Sequence, residues 1–357
     1  MNSAVIKNLL VGVVGCLGSM AVFAQDSKPS PELAQMVNNA EQYMQRGNLK
    51  DAITIYRQAL LLSPNKTELQ AGLGQALYLD GDYEEAEKVL EHLSEQKAAN
   101  EMVYRLLAAS EERQHKEKNA KRTLQAGLVH FPSSGLLYSE LGNEYSSEEK
   151  LAQALNAWLD GIEKAPAFAD NYYRAAMLYL SSNKPLWGLL YGETFLYLVH
   201  DTTEDDNLKN LMFAGYKSLF EHIGNTSKQH KSNGTFEDAV LATYAQLTPV
   251  VSDGISTENL TMVRTRFLME WFATFGKKYS FSLFTYQDEL IRSGHFDMAS
   301  QWLFGKAESE REYAAWSAFH EGDISRYNKW QATNRLKPEP ATTYNDRNMD
   351  GLFDRKK

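Results

Sequence analysis

The sequence predicts an all-α solenoid, an array of stacked helical hairpins followed by a less regular helical region. Three observations carry that prediction. Small residues recur at Ala40, Gly74, Ala108, Gly142 and Ala176, each 34 positions after the one before. A second column, Ala52, Ala86, Ala120, Ala154 and Gly188, keeps the same period. Turn signals such as Gly47-Asn48 and Gly81-Asp82 separate the two columns, and Pro64, Pro132 and Pro166 share a further register, with Ala98 on the missing beat. A period of this length marks a repeat architecture: no single hairpin buries its own apolar face, so neighbours must stack.

Composition narrows the function. The 357-residue chain has a formal net charge of −9, with 43% hydrophobic and 11% aromatic residues, which is the composition of a folded protein. Nucleic acid is excluded as a partner, because a phosphate backbone requires a concentrated basic surface. The short runs Lys116–Lys118–Lys121–Arg122 and Lys277-Lys278 read as solvated helix faces instead.

In chain order, residues 1–24 read as a cleaved secretory signal. Lys7 precedes an apolar stretch, and Val22-Phe23-Ala24 fits the small-residue cleavage rule. A competing reading takes Val13–Cys16 as a lipoprotein box and makes Cys16 a lipidated N-terminus, but the run continues apolar to Ala24. Cys16 is the single cysteine, so a processed chain has neither disulfide nor thiol chemistry. The expectation is a periplasmic or secreted bacterial protein that touches a membrane only if lipidated at Cys16. Residues 25–32 form a linker.

Residues 33–202 divide into five units, 33–66, 67–100, 101–134, 135–168 and 169–202. The two small residues of a unit sit where its antiparallel helices cross closely, since a long side chain there would push the backbones apart. Glycine between them permits a left-handed cap, and the proline stops the second helix. Tyr56, Leu90, Leu124 and Trp158 occupy the register expected to fill the gap against the neighbouring unit.

These residues resemble the tetratricopeptide repeat. Tyr43, Gly47, Ala52, Tyr56, Ala59 and Pro64 match one unit, and Leu73-Gly74, Gly81-Asp82-Tyr83 and Ala86 match the next. Tyr138, Leu141, Gly142, Tyr145, Ala154 and Pro166 match the fourth. The third departs, with Glu111 in place of an aromatic and no glycine in its turn; the fifth keeps Tyr172, Tyr179 and Gly188 but loses the proline. The resemblance covers just under half of the chain. It implies a right-handed superhelix with a concave groove, lined by the first helix of each unit and holding another protein or a peptide segment. The lining positions it implies are Asn38 and Glu41, then Gln75 and Tyr78, then Arg105, Glu112 and Arg113. Glu140 and Asn143 follow in the fourth unit, Tyr173 and Arg174 in the fifth. Val37, Glu41 and Glu68 stand where a clamp for a C-terminal carboxylate would need a cation or an amide, which argues against a chaperone-tail binder.

From 203 to 335 helices continue without a clear period. The stretch holding Phe267, Trp271, Phe272, Phe275, Tyr279, Phe281, Phe284 and Tyr286 is dense in aromatics. Core packing is the favoured reading; a glycan or cell-wall platform is the alternative. "RSGHFDMASQWLFG" and "HEGDISRYNKW" read as worn repeat halves, so the region continues or caps the array. Residues 336–357 form a polar tail. Within it Asp346, Asn348, Asp350, Gly351 and Asp354 are spaced like the start of a calcium loop, but Lys357 stands where a bidentate carboxylate should be, so any calcium binding is weak.

Catalysis finds no support. The eight histidines show no zinc spacing, and there is no G-x-S-x-G elbow. "GLGQAL" from Gly72 lies inside a repeat helix and reads as packing. The sequence therefore describes a non-enzymatic scaffold, without a required cofactor, that binds another protein in the cell envelope.

Overall fold

The computed structural model describes residues 30–182, 184–199, 205–226, 234–345 and 347, and among these every regular element is helical. The signal and lipid-box readings, Cys16 included, lie outside the described residues, as do Asp346, Asn348, Asp350 and Asp354. Two compact units are present, the first ending at Gly127 and the second beginning at Leu128.

The first unit holds α1 (Pro31–Gln45), α2 (Leu49–Leu62), α3 (Thr67–Asp80), α4 (Tyr83–Ser94), α5 (Glu101–Arg113) and the body of α6 (Glu117–His130). The second opens with α7 (Gly135–Ser147), α8 (Leu151–Lys164), α9 (Ala169–Leu180) and α10 (Pro185–Val199). Polar side chains cap α1, α5 and α7: Ser30, Asn100 and Ser134 accept from Leu33 N, Val103 N and Leu137 N at 3.1–3.2 Å. Each cap satisfies a backbone donor that the helix leaves open.

One turn closes four successive hairpins. The N–H of Asn48 donates to Tyr43 O at 2.9 Å, Asp82 to Leu77 at 3.0 Å, Lys116 to Glu111 at 2.9 Å and Lys150 to Tyr145 at 2.9 Å. The residue before each donor is left-handed: Gly47 (φ 77°), Gly81 (φ 89°), His115 (φ 59°) and Glu149 (φ 60°). Only the first two are glycine, so the third and fourth units keep the turn with residues that strain to adopt it. In the third unit Glu87 of α4 holds the turn in place, taking Lys116 Nζ and Gln114 Nε2 at 2.6 Å each.

The small columns sit where the period places them. Ala40, Ala52, Ala86, Ala120, Ala154 and Ala176 are fully buried. A Cβ on Gly74 would lie 2.6 Å from Leu90 Cδ2, and one on Gly142 would lie 2.1 Å from Trp158 Nε1. Leu90 and Trp158 thus rest on the bare backbone of the first helix of their own unit, which corrects their expected place against the neighbouring unit; Tyr56 does reach the next unit, at Gly72. Glu111, in place of the usual aromatic, is buried, and its carboxylate accepts from Thr123 Oγ1 at 2.8 Å. Burial pushes its pKa up, and the Thr123 bond opposes that shift.

Helix α10 differs from every helix before it. Nearly all of it is buried, and Glu193 is its one charged residue. A helix apolar all round has to be surrounded. The surround is α11 (Asp205–Thr226), α12 (Phe236–Gln246), α13 (Thr257–Thr274) and α14 (Ser282–Arg292), and one core runs from Ala154 to Leu336. That continuity is why the compact units do not divide at residue 203, where the sequence period ends.

Glu193 cannot be buried alone. Its Oε2 takes Arg264 Nη2 of α13 at 2.5 Å and Gln287 Nε2 of α14 at 2.6 Å, and its Oε1 takes the Tyr216 hydroxyl of α11 at 2.7 Å. Arg264 also donates to Ser300 Oγ at 2.9 Å. Burial opposes the Arg264 charge, but Glu193 together with Tyr197, Tyr216 and Tyr244 outweighs it, so the guanidinium stays charged.

After α14, Gly294 (φ 72°) makes the same cap, with His295 N–H donating to Leu290 O at 2.8 Å. The stretch read as a worn repeat half is therefore a hairpin: α14, then α15 (Phe296–Ser300), a π turn (Gln301–Gly305) and α16 (Lys306–Glu308). Helices α17 (Glu310–Phe319) and α18 (Glu321–Thr333) follow. The described part of the tail is not a free polar segment. Leu336 is buried, Tyr344 stacks on Phe236 at 4.2 Å, and Arg347 reaches Asp160 and Glu163 of α8 at 2.8 and 3.0 Å.

Candidate functional site

The lining positions lie on the first helices of the hairpins, and each unit is described by itself. In the first unit Asn38 and Glu41 occupy α1, Gln75 and Tyr78 occupy α3, and Arg105, Glu112 and Arg113 occupy α5. Asn38, Glu112 and Arg113 are exposed, and Glu41, Gln75 and Arg105 are half-buried. Tyr78 is buried, which corrects its expected place on the open surface. Its ring packs 5.6 Å from that of Tyr83, at 58°.

Tyr83 is the residue that sequence reasoning missed. It opens the second helix of its hairpin, outside the register taken as lining, yet the Arg113 guanidinium lies 5.1 Å over its ring. The Tyr in Gly81-Asp82-Tyr83 was the available signal, because Leu49, Glu117, Leu151 and Pro185 hold that position in the other units. Burial raises the Tyr78 phenol above its ordinary pKa, while Arg113 and Arg105 pull it down, so both cations act on the same ring. The result is a pair of packed tyrosines with the Arg113 guanidinium over one ring and the charges of Arg105 and Glu112 acting on the other. Such a surface offers stacking and carboxylate-binding donors together.

In the second unit Glu140 and Asn143 lie on α7 and Tyr173 and Arg174 on α9. Asn143 Nδ2 donates to Glu140 Oε2 at 3.4 Å. Tyr173 packs 5.0 Å from Phe195, and Arg174 lies 5.8 Å from its ring centre. An arginine edging a tyrosine thus appears in both units.

The aromatic stretch of the C-terminal region is core. Phe267, Trp271, Phe281, Phe284 and Tyr286 are buried, Phe275 and Tyr279 are half-buried, and only Phe272 stands exposed. Trp271 offers no face to a sugar. The Glu193–Arg264 cluster is sealed within five helices and serves packing. Among the described residues no group of three or more His, Cys, Asp or Glu is placed to hold a metal, and no helix is long and apolar enough to cross a membrane.

Comparison with known proteins bears on the array. A tetratricopeptide repeat profile matches residues 43–109. Human protein O-mannosyl-transferase TMTC1 is 27% identical over 164 residues, which is 45% of this chain and 19% of that relative. The chain thus spans well under two thirds of the curated relative it matches. Among solved structures, MamA from Desulfovibrio magneticus RS-1 aligns with a TM-score of 0.40 and 18% identity, over 49% of this chain and 100% of that one. PilF of Pseudomonas aeruginosa aligns with a TM-score of 0.44 and 15% identity, over 58% and 94%. YrrB, described as a TPR protein with an unusual peptide-binding site, aligns with a TM-score of 0.35 and 20% identity, over 46% and 86%.

Proposed function

From a chain that carries tetratricopeptide repeats, we propose a non-catalytic adaptor that holds a segment of another protein against the first-helix face of its array. The observation that carries this reading is the cluster at the α3–α4–α5 junction, where the Arg113 guanidinium lies over the half-buried Tyr83 ring, Tyr83 packs on buried Tyr78, and the Arg105 charge acts on the same Tyr78 phenol. A peptide with a carboxylate beside an apolar or aromatic side chain complements that chemistry: the carboxylate meets the guanidinium groups while the side chain stacks.

The adaptor is proposed to act in the bacterial envelope. The signal-like residues 1–24 support export, with lipidation at Cys16 as the tethered form. Calcium at Asp346, Asn348, Asp350 and Asp354 is proposed as a weak accessory, tested by a calcium-dependent change in tail proteolysis.

The test of the adaptor reading is co-purification. Arg105→Glu with Arg113→Glu should abolish recovery of the partner from cells while leaving the thermal melt in place, because neither side chain is in the core. Full recovery with both charges reversed would sink the reading.

A further inference from the structure

Helix α13 (Thr257–Thr274) buries one side and leaves an apolar stripe on the other. We propose that this stripe is the contact of a two-fold dimer, in which the α13 helices of two copies of the chain lie antiparallel. The stripe belongs wholly to the second unit and stands independently of the first-helix face.

Leu260, Val263, Arg264, Phe267, Leu268 and Trp271 make the buried side and fix the helix against the core. Opposite them, Met262 is 42% exposed, Met269 68% and Phe272 39%. Arg266, Glu270 and Ala273 are exposed with them. At 3.6 residues per turn, Met262, Arg266, Met269 and Ala273 fall within about 60° of arc, with Phe272 on one flank and Glu270 on the other. Single apolar residues are ordinary on a protein surface, but a stripe along about three turns is a contact surface. Methionine, phenylalanine and arginine are also types enriched where proteins meet.

Charge selects the occupant. Arg266 precedes Glu270 by four positions, the weaker order for an ion pair within one helix, and among the described residues neither makes one. Laid antiparallel about a two-fold axis at residue 268, the two exchange places, so Arg266 of each copy meets Glu270 of the other. The same operation carries Met262 towards Phe272 and Ala273 of the second copy and sets the two Met269 side chains together at the axis. A two-fold axis brings like flank to like flank, which lands Glu270 beside Arg266 and keeps Phe272 on the apolar side. A parallel pair would set Arg266 level with Arg266 and Glu270 level with Glu270.

An anionic lipid surface is the other chemistry that takes methionine and phenylalanine beside a cation. It is disfavoured, because Arg266 is the one exposed cation of α13, too few for the basic face such a surface requires. One helix face offers less than the roughly 800 Å² per partner of a standard contact, so the dimer is a weak one, with Kd on the order of 10–100 μM.

Sedimentation equilibrium of the full-length chain carrying Cys16→Ser tests the proposal. Arg266→Glu and Glu270→Arg should each weaken the dimer about tenfold, since each sets like charges together twice. Their equimolar mixture should recover the parental affinity, because the mixed dimer is complementary at both contacts. Both side chains are exposed, so these variants keep the fold. Under mild oxidation Met269→Cys should link two copies, whereas Met262→Cys should not, its two thiols lying about 18 Å apart along the axis. Met262→Cys mixed with Ala273→Cys should link. Arg105→Glu with Arg113→Glu should leave the dimer intact, so this proposal and the adaptor reading fail separately. A chain that stays monomeric to about 500 μM, whether or not it floats with phosphatidylglycerol vesicles, would overturn the proposal. A mixture no tighter than its components, or Met262→Cys linking as readily as Met269→Cys, would overturn it too.

Discussion

Replacing Gly142 by alanine adds one methyl group where the structure has no room for it. The new Cβ would lie 2.1 Å from Trp158 Nε1 and 2.4 Å from Cδ1, where carbon contacts are comfortable at about 3.5 Å. The indole is buried, and its N–H donates to Ser139 O at 3.3 Å, so moving it aside also strains a hydrogen bond worth about 1 kcal/mol. Overpacking of this kind costs about 1–3 kcal/mol. Alanine returns about 1 kcal/mol through helix propensity, which roughly cancels the hydrogen-bond term. The net expectation is a loss of about 1–3 kcal/mol, or about 2–4 °C in Tm for each kcal/mol in a unit of this size. Urea and thermal unfolding, followed by far-UV circular dichroism and tryptophan emission, measure it. Adding Trp158→Leu should recover at least half of the loss, because Ala108 and Leu124 hold the same two registers in the third repeat and both are buried there. An unchanged or raised Tm for Gly142→Ala alone would refute the close seating of the indole on the glycine, and with it the account of the small-residue columns.

Three further perturbations probe other parts of the fold. His115→Gly and Glu149→Gly should each stabilise by about 0.5–1 kcal/mol in denaturant unfolding, as relief of a left-handed residue outweighs the added freedom of the unfolded chain. Arg264→Ala should destabilise the second unit by about 3–5 kcal/mol, leaving Glu193 buried and unpaired, whereas Glu193→Met with Arg264→Met should lose much less on thermal melting. Glu111 has a pKa raised chiefly by burial, so the folded state holds its proton more tightly than the unfolded chain. Its favourable contribution is complete below the ordinary carboxylate range and is lost as pH rises through the folded pKa. Glu111→Gln should therefore exceed the parent in Tm at neutral pH and converge with it in acid.

The hairpin array was legible because each column of the 34-residue period answers to one crossing of two helices, a local demand that repeats. Ala40 and Gly74 could be read as contacts before any contact was seen. His115 and Glu149 could not, because nothing in their side chains favours a left-handed backbone; the turn's hydrogen bonds and the Glu87 ties impose it. The Glu193–Arg264 pair spans 71 residues, and Arg347 reaches back 187 residues to Asp160, separations that no pattern along the chain exposes. The same limit applied to the candidate face. Register placed Gln75, Arg105 and Arg113 on first helices, as the structure does, but the burial of Tyr78 and the place of Tyr83 depend on how α3, α4 and α5 pack. The aromatic run around Trp271 illustrates the opposite case, in which composition alone favoured a core and the core is what formed.

Site-specific photocrosslinking in cells tests the adaptor reading most directly. The probe is placed at Gln75, Glu112 or Tyr173 on first helices, and at Lys88 on a second helix as the control. One partner polypeptide should be captured from the first-helix positions, lost when Arg105 and Arg113 are reversed in charge, and absent from Lys88. Equal capture from Lys88, or none from the first-helix positions in cells where the protein is abundant, would contradict that reading.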